Sequence, residues 1–149
     1  MRSLVYVPHF VKGFTVHSTT KKYNNVDSRK AIGELVAKMS ESDDKSQKSI
    51  GRFISRCIAC HNNSWEALAL FAAGVLAVKA VGVSGDLVKQ LGMAFVAIRI
   101  LYIALYLGGT TQTISLGRTL TWVAGVVVCF TMMVMAARKA TADELESSS

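Results

Sequence analysis

Apolar residues gather in blocks along the chain, separated by polar stretches, and several blocks are long enough to form membrane helices. Residues 119–137 (TLTWVAGVVVCFTMMVMAA) carry no charge of either sign. A helix needs about 20 mostly apolar residues to cross the hydrocarbon core of a bilayer, so this block predicts a span, closed by Arg138 and Lys139 at headgroup level. Residues 91–107 are apolar apart from Arg99 at their centre. Residues 65–83 are apolar apart from Glu66 and Lys79, and the unbroken run within them covers only 67–78. Beside two longer blocks it also predicts a span. Residues 4–16 are apolar apart from His9 and Lys12 but too short to cross, and no small-residue cleavage site follows them. They predict the trailing half of a first span.

The polar stretch after this first block has its own pattern. Asn24, Asn25, Asp27 and Ser28 are turn formers. Ile32, Leu35, Val36 and Met39 recur at helical spacing, predicting a short amphipathic helix on the membrane surface. Residues 40–49 (SESDDKSQKS) read as a linker, with a new helix starting near Ser49 and running into the next span. The predicted organisation is therefore a remnant of a first transmembrane helix (1–16), a basic cytoplasmic loop with a short amphipathic helix (17–55), three transmembrane helices (56–139, at about 56–83, 90–108 and 118–138) and a disordered tail (140–149). The fold class is all-α: a transmembrane four-helix bundle with its first helix truncated.

Composition narrows the class. The chain has 149 residues, 51% hydrophobic and 18% charged, against roughly 25% charged in a soluble domain. Residues 17–56 hold nine of the 17 Lys and Arg. This split excludes a uniform soluble globule and a disordered chain, and three Cys cannot supply a disulfide framework. Lys12, Lys21, Lys22, Arg29, Lys30, Lys38, Lys45, Lys48, Arg52, Arg56 and Arg118 fall on one side of the predicted spans. Lys79, Lys89, Arg138 and Lys139 fall on the other, so the long loop is expected in the cytoplasm. Asp and Glu are interspersed with its cations and aromatic residues are sparse. The loop therefore reads as a solvated segment near anionic lipid, with no nucleic-acid partner.

Ionisable residues at membrane depth face the bundle interior and find partners. Glu66 and Arg99, of opposite charge on neighbouring spans, predict a structural interhelical ion pair. Arg56, Ala59, Asn63 and Glu66 share one helical face, and Arg99, Tyr102 and Tyr106 share another. Arg118 and Thr119 open the last span. Converging, these faces form a pocket of guanidinium, phenol, amide and carboxylate groups, suited to an anionic ligand that also carries an amine, such as a small peptide. Ala69, Ala73 and Ala77 form a small-residue stripe at i+4 spacing, with Gly74 on the same helix, which predicts tight packing or oligomerisation. Cys57, Cys60 and His61 match the C-x-x-C-H haem-attachment pattern. The orientation places them on the wrong side for haem attachment, and only three possible metal ligands cluster there. No metal is expected.

Several segments resemble one family. Residues 56–71 (RCIACHNNSWEALALF) are similar to the R-x-x-x-A-H-x-N-x-x-E signature of membrane-associated proteins in eicosanoid and glutathione metabolism (MAPEG). Residues 99–106 (RILYIALY) resemble that family's R-x-x-[YH]-x-x-x-Y third helix, and residues 118–122 (RTLTW) resemble its R-S-L-x-W entry to the fourth. Residues 4–11 and 22–29 look like the end of its first helix and the start of its cytoplasmic loop. The resemblance implies a four-helix membrane bundle, assembled as a homotrimer, that binds glutathione between protomers as co-substrate and acts on hydrophobic small molecules as a transferase or peroxidase. Carried over residue by residue, it implies that Arg56, Asn63, Glu66, Tyr102, Tyr106 and Thr119 hold glutathione and that Arg118 is the catalytic cation, with Arg99 the structural partner of Glu66. It also implies an endoplasmic-reticulum or other endomembrane location in a eukaryote, or the inner membrane in a bacterium. Several members carry Arg where this chain has Ala59 and Asn62. The alternative reading is a non-catalytic membrane bundle of the same fold that has lost glutathione chemistry.

Overall fold

The structure, a computed structural model, describes residues 2–20, 26–83 and 85–148. These form five helices and no strand: α1 (Arg2–Thr20), α2 (Ser28–Glu41), α3 (Lys45–Ala80), α4 (Gly85–Gly108) and α5 (Gln112–Ser148). The chain is therefore all-α, as the blocks predict. The expected turn residues Asn24 and Asn25, and the loop cations Lys21 and Lys22, lie outside the described residues.

α3 packs against each of the other four helices, α4 and α5 pack on each other, and α1 also touches α4. The start of α3 is set by Asp44, whose Oδ1 accepts from the Ser46 amide at 2.8 Å. That cap lies in the segment read as linker, so the helix begins four residues before the expected Ser49. Its end is a left-handed turn: Gly82 has φ +67°, its amide reaches the Lys79 carbonyl, and the Val83 amide reaches Val78 at 3.0 Å. Only glycine adopts that backbone without strain, and the paired bonds satisfy carbonyls the helix would leave open.

By length and composition α4 and α5 are apolar enough to cross a membrane. α3 has 36 residues, ample in length, but Glu66 and Lys79 bracket a short apolar run. Outward-facing Ile100, Leu101, Leu120, Val123, Val127, Phe130 and Val134 give α4 and α5 an apolar exterior, which marks a surface meant for lipid or another protein. Inside, the Phe71 and Phe95 rings stack at 4.4 Å between α3 and α4. Gly74 lets α3 approach α5 closely: a Cβ there would meet the Cys129 carbonyl oxygen at 3.2 Å. Ala69 and Ala73 of the alanine stripe take no part in this contact and are exposed on the single chain. The close contact within the chain comes from Gly74 instead.

α5 does not stop at the expected end of the span. It continues through Ser148, over residues expected to be disordered. Ala136, Ala137, Ala140 and Ala142 are strong helix formers. Lys139 pairs with Asp143 one turn on, and that hydrogen bond raises the lysine pKa above its ordinary value. α2 occupies the predicted amphipathic segment, extended at both ends, and its Ile32 and Met39 are buried with Val16 of α1 and Ile54 of α3. In α1, Pro8 removes one helical hydrogen bond. In the same turn the Val5 carbonyl accepts from His61 Nδ1 at 2.8 Å, tying α1 to α3.

Candidate functional site

A cleft of about 280 Å³ opens where α3, α4 and the start of α5 meet, lined by Asn63, Glu66, Tyr102, Tyr106, Arg118, Thr119 and Trp122. Six of the seven are residues expected to bind or activate a ligand; Trp122 is the addition. Asn63 and Glu66 stand one turn apart on α3, so they share a face. Tyr102 and Tyr106 do the same on α4. Arg118 is brought alongside by the α4–α5 turn. Gly109 makes that turn possible, because a Cβ there would come within 2.6 Å of the Leu105 carbonyl oxygen.

The polar groups form an ordered stack. The Arg99 guanidinium carbon sits 4.1 Å from the Tyr102 ring centroid. The Tyr102 and Tyr106 rings are 5.3 Å apart, and the Arg118 guanidinium carbon is 4.2 Å from the Tyr106 centroid. Cations at both ends of two phenol rings fix the rings through cation–π attraction. Asn63 Nδ2 donates to the Tyr102 hydroxyl at 2.8 Å, which leaves the phenolic proton free to be donated elsewhere. Arg118 donates to Ser115 Oγ at 3.1 Å, one turn back on α5.

Arg56 lies outside this cleft. It lines an adjoining one of about 270 Å³, together with the α4–α5 turn and Arg118. Arg118 thus borders both. The Arg56 Nε is buried without a hydrogen-bond partner, and the guanidinium lies 5.6 Å from the Phe53 ring.

The expected Glu66–Arg99 ion pair does not form; the salt bridges among the described residues are Lys89–Asp86 and Lys139–Asp143. Arg99 is buried, 2% exposed, and donates to Ser64 Oγ at 3.1 Å. Ser64 in turn donates to the Cys60 carbonyl at 2.7 Å. The reason is helical geometry. Residues 64 and 66 are turned about 200° from each other on an α-helix, so when Ser64 faces the interior Glu66 is directed to the flank, where it is exposed. Charge complementarity favoured Glu66 in the sequence; the face of α3 that is buried favours Ser64. The signal for Ser64 was present in the burial pattern Cys60, Ser64, Ala67.

The C-x-x-C-H match has a packing explanation. Cys57 and Cys60 are buried free thiols. His61 presents Nδ1 to the Val5 carbonyl and accepts from the Trp65 indole at Nε2, 3.2 Å away. A carbonyl only accepts and an indole only donates, so both ring nitrogens are committed.

Two helices able by length and composition to cross a bilayer, with a polar, cation-bearing cleft at their junction with a third, point to an α-helical membrane protein. Residues 10–138 match the family model described as the MAPEG family. The chain belongs to the MAPEG family, and with its apolar helices this makes it an integral membrane protein. No curated protein and no solved structure matches it.

Proposed function

We propose that the protein is a glutathione-dependent transferase or peroxidase acting on hydrophobic electrophiles drawn from the bilayer. The observation that carries this reading is the convergence of Asn63, Glu66, Tyr102, Tyr106, Arg118 and Thr119 on one cleft. Glutathione supplies a thiol nucleophile, an amine and two carboxylates, and these are the groups the cleft is equipped to meet. Glu66 pairs with the amine. Arg56, with its unpartnered Nε, and Thr119 serve the carboxylate ends across the two adjoining clefts. Tyr102, oriented by Asn63, donates its phenolic proton to the ligand. Arg118 holds its guanidinium near the sulfur, where a cation favours thiolate over thiol. The Tyr106 ring and Ser115 keep that guanidinium in place. In the transferase reaction the sulfur forms a bond to the electrophilic carbon as the leaving group departs with the bonding pair. We propose in addition that the chain works as a homotrimer and that α3 is a third span.

The test is conjugation of glutathione to 1-chloro-2,4-dinitrobenzene, and reduction of cumene hydroperoxide, by the detergent-solubilised chain. Arg118→Ala is expected to lower turnover by about 100-fold, the size of one well-placed electrostatic contact, with Arg118→Lys intermediate. Full activity in Arg118→Ala would refute the role of Arg118 and leave the fold untouched. The second reading, a non-catalytic bundle, is favoured by Ala59 and Asn62, which bring no cation to the site. It is selected if the folded protein shows neither activity nor glutathione binding.

A further inference from the structure

A cavity of about 470 Å³ lies away from this cleft, between α1, α2 and α3. Lys12 and Arg29 reach it from α1 and α2, and His9 and His61 add imidazoles. No Asp or Glu is among the described residues that line it. His61 is committed on both nitrogens, so the donors left for a ligand include the Lys12 ammonium, the Arg29 guanidinium, the His9 ring, the Ser28 hydroxyl and the Asn62 amide. Cations of like sign around one concave space repel each other when it is empty, and the walls focus their field. An anion relieves that repulsion. Ser28 is also the first residue of α2, so the positive end of that helix adds to the same field.

The shape of the donor set points to a tetrahedral oxyanion. A guanidinium offers a planar fork and a lysine a point charge, and the two approach from different helices, as phosphate oxygens require. Ile32, Ile58 and Trp65 add an apolar and aromatic stretch of wall, beside Cys57 and the polar Asn62. We propose that this cavity is a second binding site, separate from the α3–α4–α5 cleft, for a phosphate ester whose organic part rests against Trp65 and the two isoleucines. The phosphate group can come from a lipid headgroup or from a soluble phosphate monoester.

The chain provides its own reporters. Of its two tryptophans, Trp65 lines this cavity and Trp122 lines the other cleft. In a Trp122→Phe chain, held in maltoside without phosphate buffer, Trp65 emission is expected to change saturably on titration with phenyl phosphate or with dihexanoyl phosphatidic acid. Dihexanoyl phosphatidylcholine, with no net charge, is expected to leave it unchanged. Lys12→Met and Arg29→Gln are each expected to weaken binding by roughly tenfold, the loss of one charge-assisted contact. A response confined to the phosphatidic acid assigns the lipid source, and an equal response to phenyl phosphate assigns the soluble one. No saturable change with either probe overturns the proposal. So does a response matched by phosphatidylcholine, or one whose affinity both substitutions leave intact. Arg29 is exposed, so Arg29→Gln tests the site even where Lys12→Met fails to fold. Glutathione binding at the Trp122 cleft is read separately in a Trp65→Phe chain, so failure at one site is distinguishable from failure at the other.

Discussion

Replacing Arg99 by Met, and Glu66 by Gln, singly and together, decides what the buried guanidinium is bound to. Arg99 has two favourable contacts: a charge-assisted hydrogen bond to Ser64 and the Tyr102 ring. The first is worth about 1.5–3 kcal/mol and the second about 2 kcal/mol when desolvated. Against them stands a burial penalty of several kcal/mol for a charge without a carboxylate. These nearly cancel, so Arg99→Met is expected to shift unfolding stability by less than about 2 kcal/mol. Glu66 is exposed and takes part in no salt bridge among the described residues, so Glu66→Gln is expected to stay within about 0.5 kcal/mol. The coupling between the two should then be below about 0.5 kcal/mol, whereas breaking a buried ion pair costs about 3–5 kcal/mol. Ser64→Ala removes the hydrogen-bond acceptor that the buried Arg99 finds among the described residues and is expected to cost about 1.5–3 kcal/mol. Most of that loss should vanish in an Arg99→Met background. The assay is denaturant unfolding in mixed micelles, followed by far-ultraviolet circular dichroism on each corner of the two cycles. A Glu66–Arg99 coupling of about 1 kcal/mol or more, or a Ser64→Ala cost that is independent of Arg99, would refute this assignment.

Gly109→Ala is expected to displace the α4–α5 turn and weaken ligand binding at Arg118, because its Cβ meets the Leu105 carbonyl. Gly82→Ala, at positive φ but far from the cleft, is expected to cost about 1 kcal/mol of stability and leave binding unchanged. Calorimetric titration of both variants, with their unfolding midpoints, separates the two effects. Cys57, Cys60 and Cys129 are buried thiols, so an Ellman-type reagent should modify none of them rapidly in the folded protein and all three after unfolding. Rapid modification of Cys57 or Cys60 in the folded state would contradict the packing described for α3.

The cleft was legible because its residues obey helical spacing. Asn63 with Glu66, and Tyr102 with Tyr106, fall on single faces whatever the neighbouring helices do, and Arg118 opens the next apolar block. The partner of Arg99 was not legible. Opposite charge pointed to Glu66, but which face of α3 turns inward depends on packing against α4 and α5, through two clusters: Cys60 with Tyr102 and Ile103, and Ala67 with Phe95 and Cys129. Arg56 illustrates the same limit from the other side. It shares a helical face with Asn63 and Glu66, but about two to three turns lower, so it borders the neighbouring cleft. The cationic cavity was hidden for a different reason. Lys12, Arg29 and His61 are far apart in sequence, and nothing local indicates that α2 folds back to bring them together. The helical end of α5 was less legible: its composition is polar, and the alanines and the Lys139–Asp143 pair that support a helix there are weak local signals.

Isothermal titration of the detergent-solubilised full chain with glutathione, beside Arg118→Ala and Glu66→Gln, tests the glutathione site most directly. Saturable binding at millimolar ligand or below is expected, weakened roughly tenfold or more by each substitution. A folded protein that releases no heat with millimolar glutathione, or that binds it equally well without Arg118 and without Glu66, would contradict the assignment of this cleft.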